Sequence, residues 1–349
     1  MVDFVVFVAI LSALLLGHEL GHFFAAKAGG VEVEELGFGF PPRMLTLFEF
    51  RGTKYTLNWL PFGGFIRPKG ENDPAVPGGL AGASKGVRAA VLLAGPAANI
   101  FLAFVAFTAA YALAAPDPER VMVTEVAAAS PAAEAGLQVG DIIEAVDGAP
   151  IQSFDQLQEV VGAHLGQTIR LGIDRDGQSL QVNLVPRAEP PPNEGAIGIL
   201  LGHPRRILGP VESIQLGWQS TQLQVVEILR LPARLIEGDV APEQARVSGF
   251  KGMYDMLAWA GEIDRNAERP FLTLNLVGVI SAGLAIANLL PIPALDGGRL
   301  MFVAFELVFR RRIAPEKEGL AHLIGFALLL LLMVYINFQD FVNPISLPR

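Results

Sequence analysis

The sequence contains no cysteine among its 349 residues. A disulfide framework, a thiolate metal site and a cysteine nucleophile are therefore excluded, and a transition metal would need His, Asp or Glu ligands. Charged residues are scarce as well, at 17% of the chain against about 25% in soluble domains, while 52% of residues are hydrophobic. The net charge of −9 argues against a general nucleic-acid binder. The composition therefore indicates a membrane protein with no nucleic-acid partner.

Four long apolar stretches carry almost no charge. Each can supply the ~20 residues that cross about 30 Å of hydrocarbon. The sequence therefore predicts four transmembrane helices, over about 4–26, 90–115, 271–291 and 320–338. A secretory signal peptide is the alternative for the first stretch, but its N-terminus lacks Lys and Arg, and charged residues follow where a cleavage site would be expected.

The connections between these helices predict the orientation of the chain. Positive residues, which favour the cytoplasm, are concentrated in the 1–2 and 3–4 connections. They are Lys27, Arg43, Arg51, Lys54, Arg67, Lys69, Lys85 and Arg88, then Arg299, Arg310, Arg311, Arg312 and Lys317. We therefore predict a multi-pass protein of the inner or plasma membrane, with residues 27–88 and 299–319 in the cytoplasm. Both termini and the long segment between the second and third helices are then extracytoplasmic.

That long segment has the pattern of a folded α+β domain. Its predicted strands and helices are, in order, strand Val121–Val126, a short helix ending at Gly136, strand Asp141–Val146, helix Phe154–Ala163 and the hairpin strands Thr168–Ile173 and Ser179–Leu184. This order, with Ala135-Gly136-Leu137-Gln138-Val139-Gly140-Asp141 at its centre, closely resembles one PDZ domain, expected over residues 117–188. Residues 189–269 are expected to form a proline-stiffened linker and amphipathic helices on the outer membrane surface.

A β-hairpin is predicted over about 44–66, where apolar residues alternate on both sides of Arg51-Gly52. It is either a small cytoplasmic hairpin or a membrane-associated strand edge that dips toward an active site. The expected fold is thus a polytopic α-helical membrane protein with an inserted extracytoplasmic PDZ domain and this hairpin. Its membrane core comprises residues 1–116 and 270–349.

Three ionisable residues interrupt the first apolar stretch, in His18-Glu19-Leu20-Gly21-His22. His18 and His22 are four residues apart, so they project from one face of a helix and can share one zinc ion. Glu19 is not needed as a ligand and can take a proton from a water molecule that the metal activates. A polar helix–helix contact is the structural alternative. Since a charge at the bilayer centre costs at least ~2.5 kcal/mol, an uncompensated trio is unfavourable.

A third zinc ligand is expected from the segment that follows the third helix, Asn288-Leu289-Leu290-Pro291-Ile292-Pro293-Ala294-Leu295-Asp296-Gly297-Gly298. Its prolines break the helix, and irregular backbone at membrane depth is tolerated where it lines a cavity. Asp296 is the candidate ligand, which leaves the fourth position for water; an ordinary helix cap is the alternative. Asn288 could donate hydrogen bonds to an oxyanion or to a neighbouring helix. The histidines outside this set are expected at the surface or in packing; they are His164, His203 and His322.

These motifs, in this order, resemble the site-2 protease family over nearly the whole chain. The resemblance is carried by His18-Glu19-Leu20-Gly21-His22, by Ala94-Gly95-Pro96-Ala97-Ala98-Asn99 opening the second helix, by the single PDZ domain, and by Asn288 with Leu295-Asp296-Gly297-Gly298. It implies an intramembrane zinc endopeptidase with one Zn²⁺ per chain. By motif, His18, His22 and Asp296 bind the metal, Glu19 is the base, and Asn288 helps to bind substrate or stabilise the transition state.

The resemblance also implies substrates, because it is strongest to bacterial regulators of sigma-E-type envelope stress signalling. The implied substrates are single-span membrane proteins, such as membrane-anchored anti-sigma factors or signal-peptide remnants. They would be cut by regulated intramembrane proteolysis after an upstream site-1-type protease has acted. The PDZ domain would bind an exposed C-terminus or exclude untrimmed substrates. The departures from the family pattern concern substrate gating and identity. Well-known relatives carry two PDZ domains and this chain carries one. Many relatives read Ser-Gly-Pro-Ile/Val-Gly-Ile where this chain has Ser248-Gly249-Phe250-Lys251-Gly252-Met253, and some carry Asn where Gly283 stands.

Two rival functions come from other classes. A catalytically silent PDZ scaffold in the membrane would not need Glu19, and that residue is intact. A zinc transporter predicts polar residues spread over several membrane helices, whereas here they are clustered in two.

Overall fold

The computed structural model describes residues 2–191, 194–240, 246–267 and 269–345. The chain divides into two compact units. The first unit comprises Met1–Ala109, Ser213–Glu262 and Leu272–Arg349, and the second comprises Ala110–Glu212 and Ile263–Phe271.

Helices and strands follow one another in this order: α1 (Val2–Ala28), β1 (Val33–Phe50), β2 (Thr53–Pro68), α2 (Lys85–Ala114), β3 (Val121–Val126), α3 (Pro131–Glu134), β4 (Ile142–Val146), β5 (Ala149–Pro150), α4 (Phe154–Ala163), β6 (Ile169–Arg175), β7 (Gln178–Leu184), β8 (Ile199–Gly202), α5 (Pro210–Glu237), α6 (Phe250–Asn266), α7 (Phe271–Leu289), α8 (Asp296–Phe309) and α9 (Pro315–Val342).

Four of these helices, α1, α2, α7 and α9, are long and apolar enough to cross a membrane. The prediction of four such helices is confirmed, although α2 and α9 extend beyond their predicted ends. The first turns of α2 continue the helix with polar residues that find partners. Arg88, which is buried, pairs with Glu306 of α8 at 2.6 Å. An ion pair of this kind offsets the cost of burying each charge, so the helix does not end where the hydrophobic pattern ends.

Helices α1 and α2 approach each other closely at the level of the histidine motif. A methyl group on Gly21 would meet the backbone oxygen of Ala94 and would lie 2.8 Å from Ala98 Cβ. Small residues at a helix interface allow this approach within a membrane, where packing and not the hydrophobic effect drives association. The glycine of the motif therefore brings α2 against the two histidines.

Strands β1 and β2 form the predicted hairpin, which is longer than expected and begins at Val33. Its turn is the predicted one: Arg51 and Gly52 have φ values of 49° and 76°, and positive φ at both central residues is typical of a tight hairpin. The two strands curl, so that Gly37 pairs with Phe65 on one side and with Thr56 on the other.

The first part of β1 was missed because its alternation is broken by a buried acid. Glu35 is buried and accepts hydrogen bonds from Thr56 and Arg43, with Arg67 at 3.1 Å. Burial alone would raise the pKa of the Glu35 carboxyl, but these hydrogen bonds and the two arginines hold that pKa below its ordinary value. An ionised Glu35 therefore serves as an internal anchor of the hairpin.

The second unit contains a sheet in the order β7-β6-β4-β3-β8, with β5 paired to β4. All strands and helices predicted for this region are present, within a few residues of the expected ends. Strand β8 adds to them: Ile199–Gly202 pairs antiparallel with β3, beyond the expected domain boundary at residue 188. Four residues containing glycine carry too weak a strand signal to be predicted, and the pairing with β3 creates the strand.

Helix α5 was expected on the outer membrane surface. In the structure its small buried residues Ser213, Gly217 and Thr221 form one stripe, and Gly217 lies directly against Thr108 of α2. Trp218 makes an edge contact with Phe104 of the same helix, at 6.1 Å between ring centroids. Helix α5 is thus packed against α2 within the first unit.

Candidate metal centre

Three predicted ligand residues converge in the first unit. The Asp296 Oδ2 atom lies 3.1 Å from His18 Nε2 and 3.2 Å from His22 Nε2, and the two Nε2 atoms are 3.0 Å apart. Both imidazoles are buried, and the carboxylate is half-buried. Of the residues that the structure describes, these three form the one group of His and acidic side chains suited to hold a metal ion.

The Asp296 carboxylate reaches the histidines because the backbone breaks after α7. Helix α7 ends at Leu289, and a proline-containing turn leads to α8, which begins at Asp296 itself. A methyl group on Gly297 or Gly298 would collide with the backbone of that turn, so both glycines are required for its tight course. The cap of α8 is Leu295 and lacks a side-chain capping bond. Asp296 is therefore not a helix cap, which was the alternative interpretation.

The Nδ1 atoms of both imidazoles face α2. His22 Nδ1 lies 2.7 Å from the carbonyl oxygen of Val91, which can only accept, so Nδ1 donates. A neutral imidazole that donates from Nδ1 presents a lone pair at Nε2, on the side of Asp296. His18 Nδ1 faces the side chain of Asn99 at 3.3 Å.

The donor set fits zinc. Zinc prefers imidazole and carboxylate ligands about 2.0–2.2 Å away in a tetrahedral arrangement, in which neighbouring ligand atoms lie roughly 3.3–3.6 Å apart. The three observed separations of 3.0–3.2 Å are within a few tenths of an ångström of that range. Gly95 of α2 leaves the necessary room, since a methyl group there would lie 2.7 Å from His18 Nε2 and closer still to His22 Nε2.

Glu19 and Asn288 line a cavity of about 270 Å³ together with the three converging residues. The Glu19 Oε2 atom accepts a hydrogen bond of 3.2 Å from the backbone N–H of Ile66 in β2. Asn288 donates from Nδ2 to the carbonyl oxygen of Leu284, one turn earlier in α7, at 3.0 Å. The helix–helix hydrogen bond considered for Asn288 is thus replaced by one within its own helix.

Two residues near the centre were not singled out from the sequence. Asn99 was noted only as part of a motif, although a polar amide within an apolar helix is itself a sign of a functional site. His322 was expected at the surface or in packing, yet its Nδ1 accepts a 2.8 Å hydrogen bond from the N–H of Ala294, two residues before Asp296. His164 and His203 do take packing roles, with a bond to the Val160 carbonyl and a ring stack on Phe154 respectively.

Comparison with known proteins agrees with a zinc metalloprotease. The family model of peptidase family M50 matches residues 6–332. A Clostridium acetobutylicum protein assigned by name to the zinc metalloproteases is 30% identical over 98% of this chain and 99% of its own length. The zinc metalloproteases RasP of Oceanobacillus iheyensis and Geobacillus kaustophilus are 28% and 27% identical, over 97% and 96% of this chain and 99% and 96% of their own lengths.

The solved PDZ domain of an SdrC-like protein from Listeria monocytogenes is 25% identical over 24% of this chain and 87% of that chain, with a TM-score of 0.22.

A membrane zinc metalloendopeptidase is the class of protein that the converging ligands, the four membrane-length helices and these relatives define. The chain belongs to peptidase family M50, the site-2 protease family, and its cofactor is zinc. The family predicted from the sequence motifs is confirmed.

Proposed function

We propose that the chain cuts transmembrane segments of other membrane proteins, with one zinc ion held by His18, His22 and Asp296. The observation that carries this proposal is the convergence of three ligand atoms from α1 and from the break between α7 and α8. Helices α1 and α7 are two of the four that are long and apolar enough to cross a bilayer. A ligand set built on them supports peptide hydrolysis at membrane depth.

The chemistry follows from what each side chain can do. Bound zinc would acidify a water molecule and polarise the scissile carbonyl. Glu19 stands beside the ligands with one oxygen held by the Ile66 N–H, so its carboxylate is oriented at the cavity. It would take the proton from water and pass it to the leaving amine. Asn288 uses one N–H on Leu284, and the second hydrogen of the same Nδ2 is suited to an oxyanion.

The hairpin would hold the substrate next to this site. A transmembrane helix hides its carbonyl groups in hydrogen bonds, so a substrate has to unwind locally before it is cut. The end of β2 is anchored along α1: Gly63 N–H bonds to Ser12 Oγ at 3.1 Å, and Ile66 N–H bonds to Glu19. Phe65, between them, lines the cavity. We infer that an unwound segment adds to this strand edge by main-chain hydrogen bonds.

The tip of the hairpin supports a membrane-associated position for it. Large apolar side chains there are exposed, among them Leu45, Phe48, Phe50 and Trp59.

Strand addition can be tested by cysteine cross-linking, because the chain has no cysteine of its own. Phe65→Cys should form a disulfide with a cysteine placed near the cut site of a trapped substrate. Phe50→Cys, at the turn, should not. Equal cross-linking at both positions contradicts strand addition at the edge of β2.

Single-span membrane proteins, cut by regulated cleavage, are the substrate class that this arrangement favours. An extended segment can present its carbonyl groups to the cavity of about 270 Å³, whereas an intact helix hides them in its own hydrogen bonds. Anti-sigma factors and signal-peptide remnants, trimmed first by a site-1-type protease, have the required single span. The rival is a silent PDZ scaffold, for which the intact Glu19 has no use.

The proposed orientation places residues 27–88, with the hairpin, and residues 299–319 on the cytoplasmic side, and both termini and the PDZ region outside. It rests on the positive residues of the 1–2 and 3–4 connections. In intact cells, an impermeant thiol reagent should label Ser153→Cys and spare Ser84→Cys, each the single cysteine of its variant. Labelling of Ser84→Cys alone contradicts this orientation.

The proposed function is tested by zinc content together with cleavage of a model single-span membrane protein. The purified protein should hold about one zinc per chain and should cut the model protein within its span. His22→Ala and Asp296→Ala should each lose most of the metal and all detectable cleavage. A chelator should abolish cleavage in the native chain, and added zinc should restore it. Full zinc in Asp296→Ala would show that the third ligand is wrong.

A further inference from the structure

The side chain of Asn99 is completely buried at the middle of α2, against the histidine motif of α1. Its Nδ2 atom lies 3.3 Å from His18 Nδ1. Its other polar atom, Oδ1, is buried and has no hydrogen-bond partner among the residues that the structure describes. A buried polar atom without a partner is destabilising, so its presence beside a metal ligand needs a physical reason.

The protonation of His18 supplies that reason. For Nε2 of His18 to carry a lone pair toward Asp296, Nδ1 must carry the ring hydrogen. Nδ1–H then needs an acceptor, and the amide of Asn99 is the group in reach. Rotating the amide by half a turn exchanges its oxygen and nitrogen within the same volume. Oδ1 then stands where Nδ2 stood and accepts the hydrogen.

We propose that Asn99 is a positioning residue of the metal centre, whose side-chain oxygen accepts a hydrogen bond from His18 Nδ1–H. It fixes the tautomer and the ring orientation in which His18 Nε2 points at the metal. This inference rests on the proposed function, in which His18 is a zinc ligand.

Helix α2 gives each histidine an outer partner. His22 Nδ1 already donates to the Val91 carbonyl, and Asn99 lies eight residues further on, hence on the same side of the helix. Gly95 falls midway between them and leaves the space that the Nε2 atoms occupy. One stripe of α2 thus bonds to His22, admits both ligand atoms and bonds to His18. Metal-binding histidines commonly donate their second nitrogen to such a partner, which orients the ring.

The backbone at Asn99 is held separately from its side chain. The Ser281 hydroxyl of α7 donates to the Asn99 carbonyl oxygen at 2.7 Å, and both residues are fully buried. Ser281→Ala is therefore a matched control, since it removes a buried hydrogen bond at the same residue without touching a ligand. It should lower the melting temperature but leave zinc affinity unchanged.

The test is zinc affinity, measured by chelator competition, together with the absorption spectrum of the cobalt-substituted protein. Asn99→Leu and Asn99→Ala should bind zinc about 10–100-fold more weakly than the native chain, and their cobalt spectra should shift. Asn99→Asp keeps an acceptor oxygen at the same place and should restore both the affinity and the spectrum. The melting temperature of each variant identifies one that fails to fold.

Each outcome decides between the two proposals. Native zinc affinity in Asn99→Leu or Asn99→Ala overturns the positioning role, and so does an Asn99→Asp variant as weak as Asn99→Ala. If neither apolar variant folds, Asn99→Asp decides alone: native zinc affinity and a native cobalt spectrum support the role, and a loss of either in a variant that melts like Ser281→Ala overturns it. His18→Ala separates the proposed function itself: full zinc in that variant means that His18 is not a ligand, whatever Asn99 does.

Discussion

Glu19→Gln is expected to keep about one zinc per chain and to lower cleavage by about 10²–10⁴-fold, the usual contribution of a general base. The side chain keeps its size, and its amide oxygen can still accept the hydrogen bond that Ile66 N–H gives to Glu19. It cannot accept a proton from water at neutral pH. Glu19 lies outside the group of three converging ligand residues, so the metal should remain.

The measurement compares zinc content, substrate capture and single-turnover cleavage in Glu19→Gln and in the native chain. Glu34→Gln is the matched control, because it removes an equal charge from an exposed position of β1. That variant should cut the model substrate at the native rate. Loss of zinc along with activity in Glu19→Gln would make Glu19 a ligand and would contradict its role as the base.

The parts of the centre that the sequence predicts are those governed by local periodicity and by chemistry. Residues four apart on a helix share a face, so His18 and His22 could be paired before any fold was known. Asp296 is 278 residues from His18. It was a candidate because zinc needs a third protein ligand and Asp296 follows an apolar helix that prolines break, and the family resemblance pointed to the same residue.

Contacts that depend on how elements pack could not be predicted in this way. The Val91 carbonyl and the Asn99 amide reach the histidines only because Gly21 lets α2 approach α1. The bond from Ile66 to Glu19 depends on the curl of a hairpin whose first strand hides a buried acid, Glu35. The periodicity of the sequence does not encode how closely two elements approach each other, because tertiary packing sets that distance.

The same distinction holds for the second unit. Strands β3, β4, β6 and β7 follow from alternation and turn residues, and they were predicted within a few residues. Strand β8 was not predicted, because its four residues become a strand only through the ladder with β3. The expected boundary at residue 188 followed the end of the last local signal, whereas the sheet closes with Ile199–Gly202.

Gly95→Ala should remove zinc and cleavage although it changes one hydrogen to a methyl group. The added carbon would lie 2.7 Å from His18 Nε2 and closer to His22 Nε2, within the space where the ligand atoms meet. The His22 imidazole cannot give way freely, because its Nδ1 atom is bonded to the Val91 carbonyl on the same helix. We therefore expect zinc occupancy to fall to a small fraction of the native value, with cleavage falling in parallel.

Helix propensity acts in the opposite direction, which makes this variant informative. Alanine is favoured over glycine within a helix by about 1 kcal/mol, so α2 on its own should gain stability from the change. Gly86→Ala is the matched control on the same helix, where a methyl group would meet nothing within 4 Å; it should keep native zinc and activity. If Gly95→Ala also keeps them, the Nε2 atoms do not meet beside α2, and the proposed ligand geometry fails. If it loses both while the protein still melts cooperatively, the loss is local to the metal centre and does not come from unfolding.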